Sequence, residues 1–150
     1  SVRRHRGELD VRPTARIGED LIEAITQIMR NEGTVGVILA DDAVPGVRKL
    51  LEREHLDYDL LGEDPQIFDA RAATPSTGPD VAGPLKPIVV PASLAKGLEF
   101  DHVVLVEPAE IVAGEPDQVT GLRRLYVCLT RAVTSLVVVH AAELPAALAA

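Results

Sequence analysis

The sequence predicts an α/β domain with an open, mainly parallel sheet and helices on both faces. Three observations predict it. Short runs dense in Val, Ile and Leu recur at 34–40, 88–90, 103–106 and 136–140, the pattern of strands covered on both sides. Amphipathic segments lie between several of these runs, which calls for helical crossovers between parallel strands. The chain is 47% hydrophobic but only 3% aromatic, so Val, Leu, Ile and Ala must fill the core.

Each element has its own reason. Residues 1–16 hold Arg3, Arg4, Arg6, Arg12 and Arg16 against Glu8 and Asp10, a balance of +3 in a chain of net charge −8, which leaves −11 on the rest. An acidic body repels nucleic-acid phosphates except at a local basic patch. The arginine-rich start reads either as such a patch or as a solvated arm. Residues 18–30 place Leu21, Ile22, Ile25, Ile28 and Met29 on one side of a helical period, with Glu19, Asp20 and Glu23 near the start and Arg30 at the end, as the helix dipole prefers. Asn31, Glu32 and Gly33 end that helix, and 34–40 follows as a buried strand. Asp41 and Asp42 are expected to cap the next helix, which Pro45 opens and which runs to about 55 with Val47, Leu50 and Leu51 facing the sheet. A weaker strand is expected near 58–61. Residues 70–87 are rich in Pro, Gly, Ala, Ser and Thr without an apolar period, and read as a linker or long surface loop. The last helix, roughly 117–131, has Leu122, Leu125, Tyr126 and Leu129 as its apolar face.

Composition excludes several classes. The chain of 150 residues is expected to form one domain, 1–150, burying roughly 70% of the surface that it exposes unfolded. Its longest apolar runs are too short to span a bilayer and no signal-peptide pattern opens it, so a cytoplasmic protein without membrane contact is expected. Cys128 is the sole cysteine, which excludes an internal disulfide framework and fits a reducing compartment; its place beside core positions predicts a small buried side chain. His5, His55, His102 and His140 are dispersed, and no metal site is expected. Because the first residue is serine, the chain is expected to be an excised piece of a longer protein.

Two segments carry chemistry. In "VVPASLAKGLEFDHVVLVEP", residues 89–108, a polar insert separates two buried strands. Since it follows the strand ending at Val90 or Pro91, it is expected on the rim beyond the carboxyl ends of the strands, where open α/β sheets bind ligands. Gly97 permits a tight turn or close approach; Lys96 offers a point charge and Glu99 an acceptor for a hydroxyl or an ion pair. By itself this is also what a solvated turn looks like. In "GLRRLYVCLTRAVTSLVVVH", residues 121–140, Arg124 and Arg131 lie two helical turns apart and project along one side. Arg131 stands at the helix end, where a guanidinium can point across a cleft towards phosphate or simply answer the helix dipole. "VILADD" ends a strand in paired acids, as a phospho-acceptor receiver domain would, but the third strand ends in Pro91 rather than the aspartate a receiver needs.

"AKGLEFDHVVLVEP" followed by "LRRLYVCLTRA" resembles motifs V and VI of superfamily 1 helicases of the UvrD/Rep type, which read about KGLEF-D-x-V and RRL-x-YV-x-x-TRA. The resemblance covers about 45 residues of the last third, with both signatures in the family's order. It implies a RecA-like fold and the second RecA-like domain, 2A, of such a motor. It implies that Arg131 reaches across the interdomain cleft to the γ-phosphate of ATP and stabilises transition-state charge, as an arginine finger does. Glu99 would contact the nucleotide, at its ribose. Lys96 and Gly97 would form the motif V loop between the ATP site and the nucleic-acid track. Arg123 and Arg124 match the paired arginines of motif VI, for which an ion pair and a direct ligand role both remain open.

The departures are as informative. No G-x-x-x-x-G-K-[ST] occurs, so ATP and Mg2+ would be held mainly by the first RecA-like domain, and this chain alone is expected not to hydrolyse ATP. "VVLVE", 103–107, imitates a Walker B strand, yet without the cradle it reads as core. The tyrosine–arginine segment of motif IV is not recognisable. Many members carry a histidine where Ser93 stands, and most insert a large 2B domain where only 70–87 is found. Both differences favour a shorter helicase-like branch resembling HelD, whose members remodel RNA polymerase. The implied partners are therefore the first RecA-like domain and either single-stranded nucleic acid, reached by Lys96 and Ser93, or RNA polymerase. The alternative is a non-catalytic RecA-like domain kept as a partner-binding platform.

Overall fold

The computed structural model describes residues 8–62 and 86–149. Among them, strands β1 (Glu8–Pro13), β2 (Val35–Leu39), β3 (Asp59–Leu60), β4 (Ile88–Pro91), β5 (Phe100–Val106) and β6 (Ala132–His140) form one sheet in the order β1-β6-β5-β2-β4-β3. Every pairing is parallel, which bears out the α/β, RecA-like fold class. Helices α1 (Ile17–Ile28), α2 (Val44–Arg53), α3 (Pro108–Ala113), α4 (Gln118–Leu129) and the short α5 (Ala146–Ala149) complete it. None of the described helices is long and apolar enough to cross a membrane.

Strand side chains alternate between the two faces, and the core divides accordingly. Val35, Val37 and Leu39 of β2 join Val104, Val106, Val137 and Val139 beneath Leu21, Ala24, Ile25 and Ile28 of α1 and Val44, Val47 and Leu51 of α2. Ile38, Val90, Val103, Leu105 and Val138 face the other way. They are covered by Ala92, Ala95, Leu98 and Phe100, with Ile111 of α3 and Leu125 and Cys128 of α4. The second face is thus roofed partly by an irregular segment, 92–99, in place of a helix.

Two glycines set close approaches. A Cβ on Gly36, in the middle of β2, would lie 2.7 Å from the Phe100 ring, so that ring packs directly against the β2 backbone. A Cβ on Gly121 would lie 2.4 Å from the Val112 carbonyl, so α4 presses directly against α3.

Several expectations need correction. β1 falls within the stretch read as an arginine-rich arm, but Glu8–Pro13 pairs with β6 over its whole length. Its Leu9 is 64% exposed, so as an edge strand it lacks the continuous apolar run of the others. β6 begins at Ala132 rather than 136, and α3 was not predicted. The buried face of α4 is Gly121, Leu125 and Cys128, whereas Tyr126 is 68% exposed; contact through Gly121 turns the helix so that the large ring points outward. Asp41 does not cap α2: it lies in a 3-10 turn, and its Oδ1 accepts the Ser93 N–H at 3.1 Å, joining the turn after β2 to the turn after β4. The expected loop at 70–87 lies outside the described residues except for Lys86 and Pro87, as do Arg3, Arg4 and Arg6.

Candidate functional site

The insert does not stay at the carboxyl rim. β4 and β5 both pair with β2 in parallel, Leu39 opposite Pro91 and Val35 opposite His102, so the chain must return from the carboxyl end of β4 to the amino end of β5. Residues 92–99 make that return across the second face. The sequence reading missed it because a loop after a strand normally remains at that strand's end. Ala92, Ala95 and Leu98 are buried, and this three-residue spacing was the signal that the segment hugs the sheet.

Ser93 accordingly stays near the carboxyl end, held by Asp41. Lys96 and Gly97 follow, both exposed. Gly97 has φ +86, and a Cβ there would meet nothing within 4 Å; glycine is favoured by the left-handed backbone, not by crowding. Glu99 is exposed at the amino end of β5.

α4 runs alongside this segment and straps it at both ends. Arg124 Nε donates to Glu115 Oε2 at 3.2 Å and its Nη1 reaches the Ala92 carbonyl at 3.5 Å. That pair is largely shielded, which gives Arg124 an ion-pair role. Seven residues later Arg131, half-buried just past the helix end, donates from Nη1 to the Leu98 carbonyl at 3.0 Å, from Nε to the Val127 carbonyl at 2.9 Å and from Nη2 to Thr130 Oγ1 at 3.2 Å. The Phe100 N–H donates to the Arg131 carbonyl at 3.0 Å. Arg131 and Glu99 therefore share one end of the sheet. The three acceptors of the guanidinium are uncharged oxygens, and they use three of its five N–H donors. Arg123, by contrast, is exposed on the outer face of α4, where Val119, Leu122, Tyr126 and Val127 line a shallow depression.

Neighbouring polar groups hold this end in place. Asp101 Oδ2 accepts from the Thr34 N–H at 2.8 Å, and the Asp101 N–H donates to Thr34 Oγ1 at 3.0 Å. A Cβ on Gly33, whose φ is +116, would strike the Asp101 carboxylate at 2.6 Å. His102 is buried between the Glu32 carbonyl, 2.9 Å from Nε2, and Ser135 Oγ, 2.7 Å from Nδ1. The carbonyl can only accept, so Nε2 carries the proton. Thr130, Asp101 and His102 were not singled out as working residues in the sequence; only the position of Thr130 directly before Arg131 marked it.

The carboxyl end is different. Glu107, with φ +52 and only 7% exposed, accepts from the backbone N–H groups of Ala141 at 3.0 Å and Ala142 at 3.2 Å. The acid that imitates a Walker B residue thus ties down the end of β6. Burial first, and the Glu107 charge second, raise the Glu110 carboxyl above its ordinary range. Burial also pushes the Cys128 thiol up to about 12, with Arg124 and Arg131 opposing it. Among the described residues no three His, Cys, Asp or Glu side chains gather as a metal site would require.

Comparison with known proteins bears on the fold and on the last third of the chain. Residues 89–139 match the family model described as UvrD-like helicase C-terminal domain. The structure is similar to the crystal structure of the C-terminal domain of a possible DNA helicase from Lactobacillus plantarum WCFS1, with a TM-score of 0.64 and 20% sequence identity over 93% of this chain and 76% of that one. No curated protein matches the chain.

Proposed function

We propose that this chain is the C-terminal motor domain of an ATP-dependent superfamily 1 helicase or helicase-like translocase, supplying one wall of an interdomain ATP site and its arginine finger. The observation that carries the reading is the meeting of Leu98, Phe100 and Arg131 through two hydrogen bonds, which joins the two sequence signatures at one end of the sheet. The residues fit a triphosphate. Arg131 retains N–H donors beyond its three neutral partners, and an arginine presented by one domain lowers the barrier by stabilising charge on a transferring phosphoryl group. Exposed Glu99 is suited to accept from a ribose hydroxyl. The phosphates and Mg2+ would be cradled by the first RecA-like domain, which supplies the metal chemistry. Lys96 and Ser93 are proposed to face the track.

The test is nucleotide turnover by the full-length protein carrying Arg131→Ala. Loss of about a thousandfold is expected for a finger of this kind. Turnover within about twofold of wild type would instead favour the partner-binding platform, the second reading, which the exposed Val119 and Tyr126 on α4 support.

Within the motor reading, Ser93 in place of the usual histidine favours a HelD-like factor acting on RNA polymerase. Capture of RNA polymerase by the full-length protein, without stimulation of turnover by single-stranded DNA, is expected. Stimulation by DNA without capture would sink that finer assignment and leave a nucleic-acid translocase.

A further inference from the structure

Glu99 sits between two peptide planes that are both held by one residue. The Leu98 carbonyl, on the plane before it, accepts from Arg131 Nη1 at 3.0 Å; the Phe100 N–H, on the plane after it, donates to the Arg131 carbonyl at 3.0 Å. The first brace is a side-chain contact and can be withdrawn; the second is part of the chain and cannot. The Leu98 and Phe100 side chains, 8% and 1% exposed, are anchored in the core, while Gly97 has open space around its α-carbon and lies in a turn that the Leu98 N–H closes on the Ala95 carbonyl at 3.2 Å.

We propose that Arg131 is the positioning residue for Glu99, and that a ligand drawing its guanidinium away from the Leu98 carbonyl lets the Leu98–Glu99 peptide plane turn and re-aims the Glu99 carboxylate. The finger and the acid then respond to the nucleotide as one unit. Thr130 sets the resting state: its hydroxyl accepts from Arg131 Nη2 and is itself oriented by the Tyr126 and Val127 carbonyls, both at 3.0 Å. The release step rests on the motor reading; the brace does not.

The test uses 15N-labelled full-length protein, wild type and Arg131→Gln, with and without a non-hydrolysable adenosine triphosphate analogue and magnesium. The Glu99 amide reports the braced plane, since its nitrogen is bonded to the Leu98 carbonyl carbon. Without nucleotide, the Glu99 resonance is expected to move in Arg131→Gln while the Phe100 N–H stays protected from solvent exchange. In wild type the analogue is expected to move Glu99 in the same direction, and in the variant to move it no further. A Glu99 resonance unchanged by the substitution overturns the brace, and so does loss of Phe100 protection while core amides such as Val104 stay protected. Should Arg131→Gln fail to fold, Thr130→Val decides, with a smaller displacement of Glu99 expected and none counting against the proposal. If the analogue binds wild type without moving Glu99, the release step is overturned. If it does not bind at all, the motor reading falls, while the nucleotide-free comparison still decides the brace.

Discussion

The two ends of the sheet differ in how one charged group is held. At the carboxyl end, Asp41 takes the Ser93 N–H and Glu107 takes two N–H groups after β6, so these acids serve the backbone. At the amino end, Asp101 and His102 are likewise committed to their neighbours, but the Arg131 guanidinium rests on uncharged oxygens. An anionic ligand would compete there with neutral acceptors, not with a carboxylate. The difference separates residues that keep the fold from an arginine able to change partners.

The contrast breaks most visibly in paired variants of the full-length protein. Arg131→Ala, with its expected thousandfold loss, should act on turnover far more than on stability, whereas carboxyl-end variants should do the reverse. Gly36→Ala should cost about 2–3 kcal/mol by denaturant titration, because its methyl group must displace the buried Phe100 ring. Since Phe100 is bonded to Arg131, turnover should fall as well; unchanged stability would mean the ring moves aside easily. Glu107→Ala should cost about 1–2 kcal/mol with turnover per folded molecule intact, and a large kinetic defect would blur the division between the two ends. Asp41→Ala should cost about 1 kcal/mol or less, as one exposed hydrogen bond is lost.

The smallest effect concerns pH. The Glu110 carboxyl is raised by burial and by Glu107, so the folded protein binds its proton more tightly than the unfolded chain does. Its ionisation therefore opposes folding once pH exceeds the ordinary glutamate value, and the penalty fades as pH falls. Glu110→Gln should stabilise the protein at neutral pH, by about 0.5 kcal/mol or less because solvent screens this surface position. A loss of stability there would mean that the carboxylate has a favourable partner.

The interior strands and helices α1 and α2 were legible because their signals are local: β2 is an unbroken apolar run and α1 keeps a helical period. β1 was not, because Leu9 and Val11 are exposed between charged neighbours and the partner strand lies more than a hundred residues away in the chain. For the site, residue types and order were legible. The end of the sheet was not. It depends on Ala92, Ala95 and Leu98 anchoring a loop across a face, and small apolar residues in a polar-looking insert do not announce that anchorage. Tyr126 misled for the opposite reason, being apolar enough to count as core yet displaced by the contact at Gly121.

That contact also has a mechanical side. α4 is pinned near its start, where the missing side chain of Gly121 lets it bear on the Val112 carbonyl, and Arg131 lies ten residues further along. At about 1.5 Å of rise per residue this is a lever arm of ~15 Å. A tilt of about 5° at the fulcrum would carry the far tip by ~1.3 Å, roughly the distance that separates a good hydrogen bond from none.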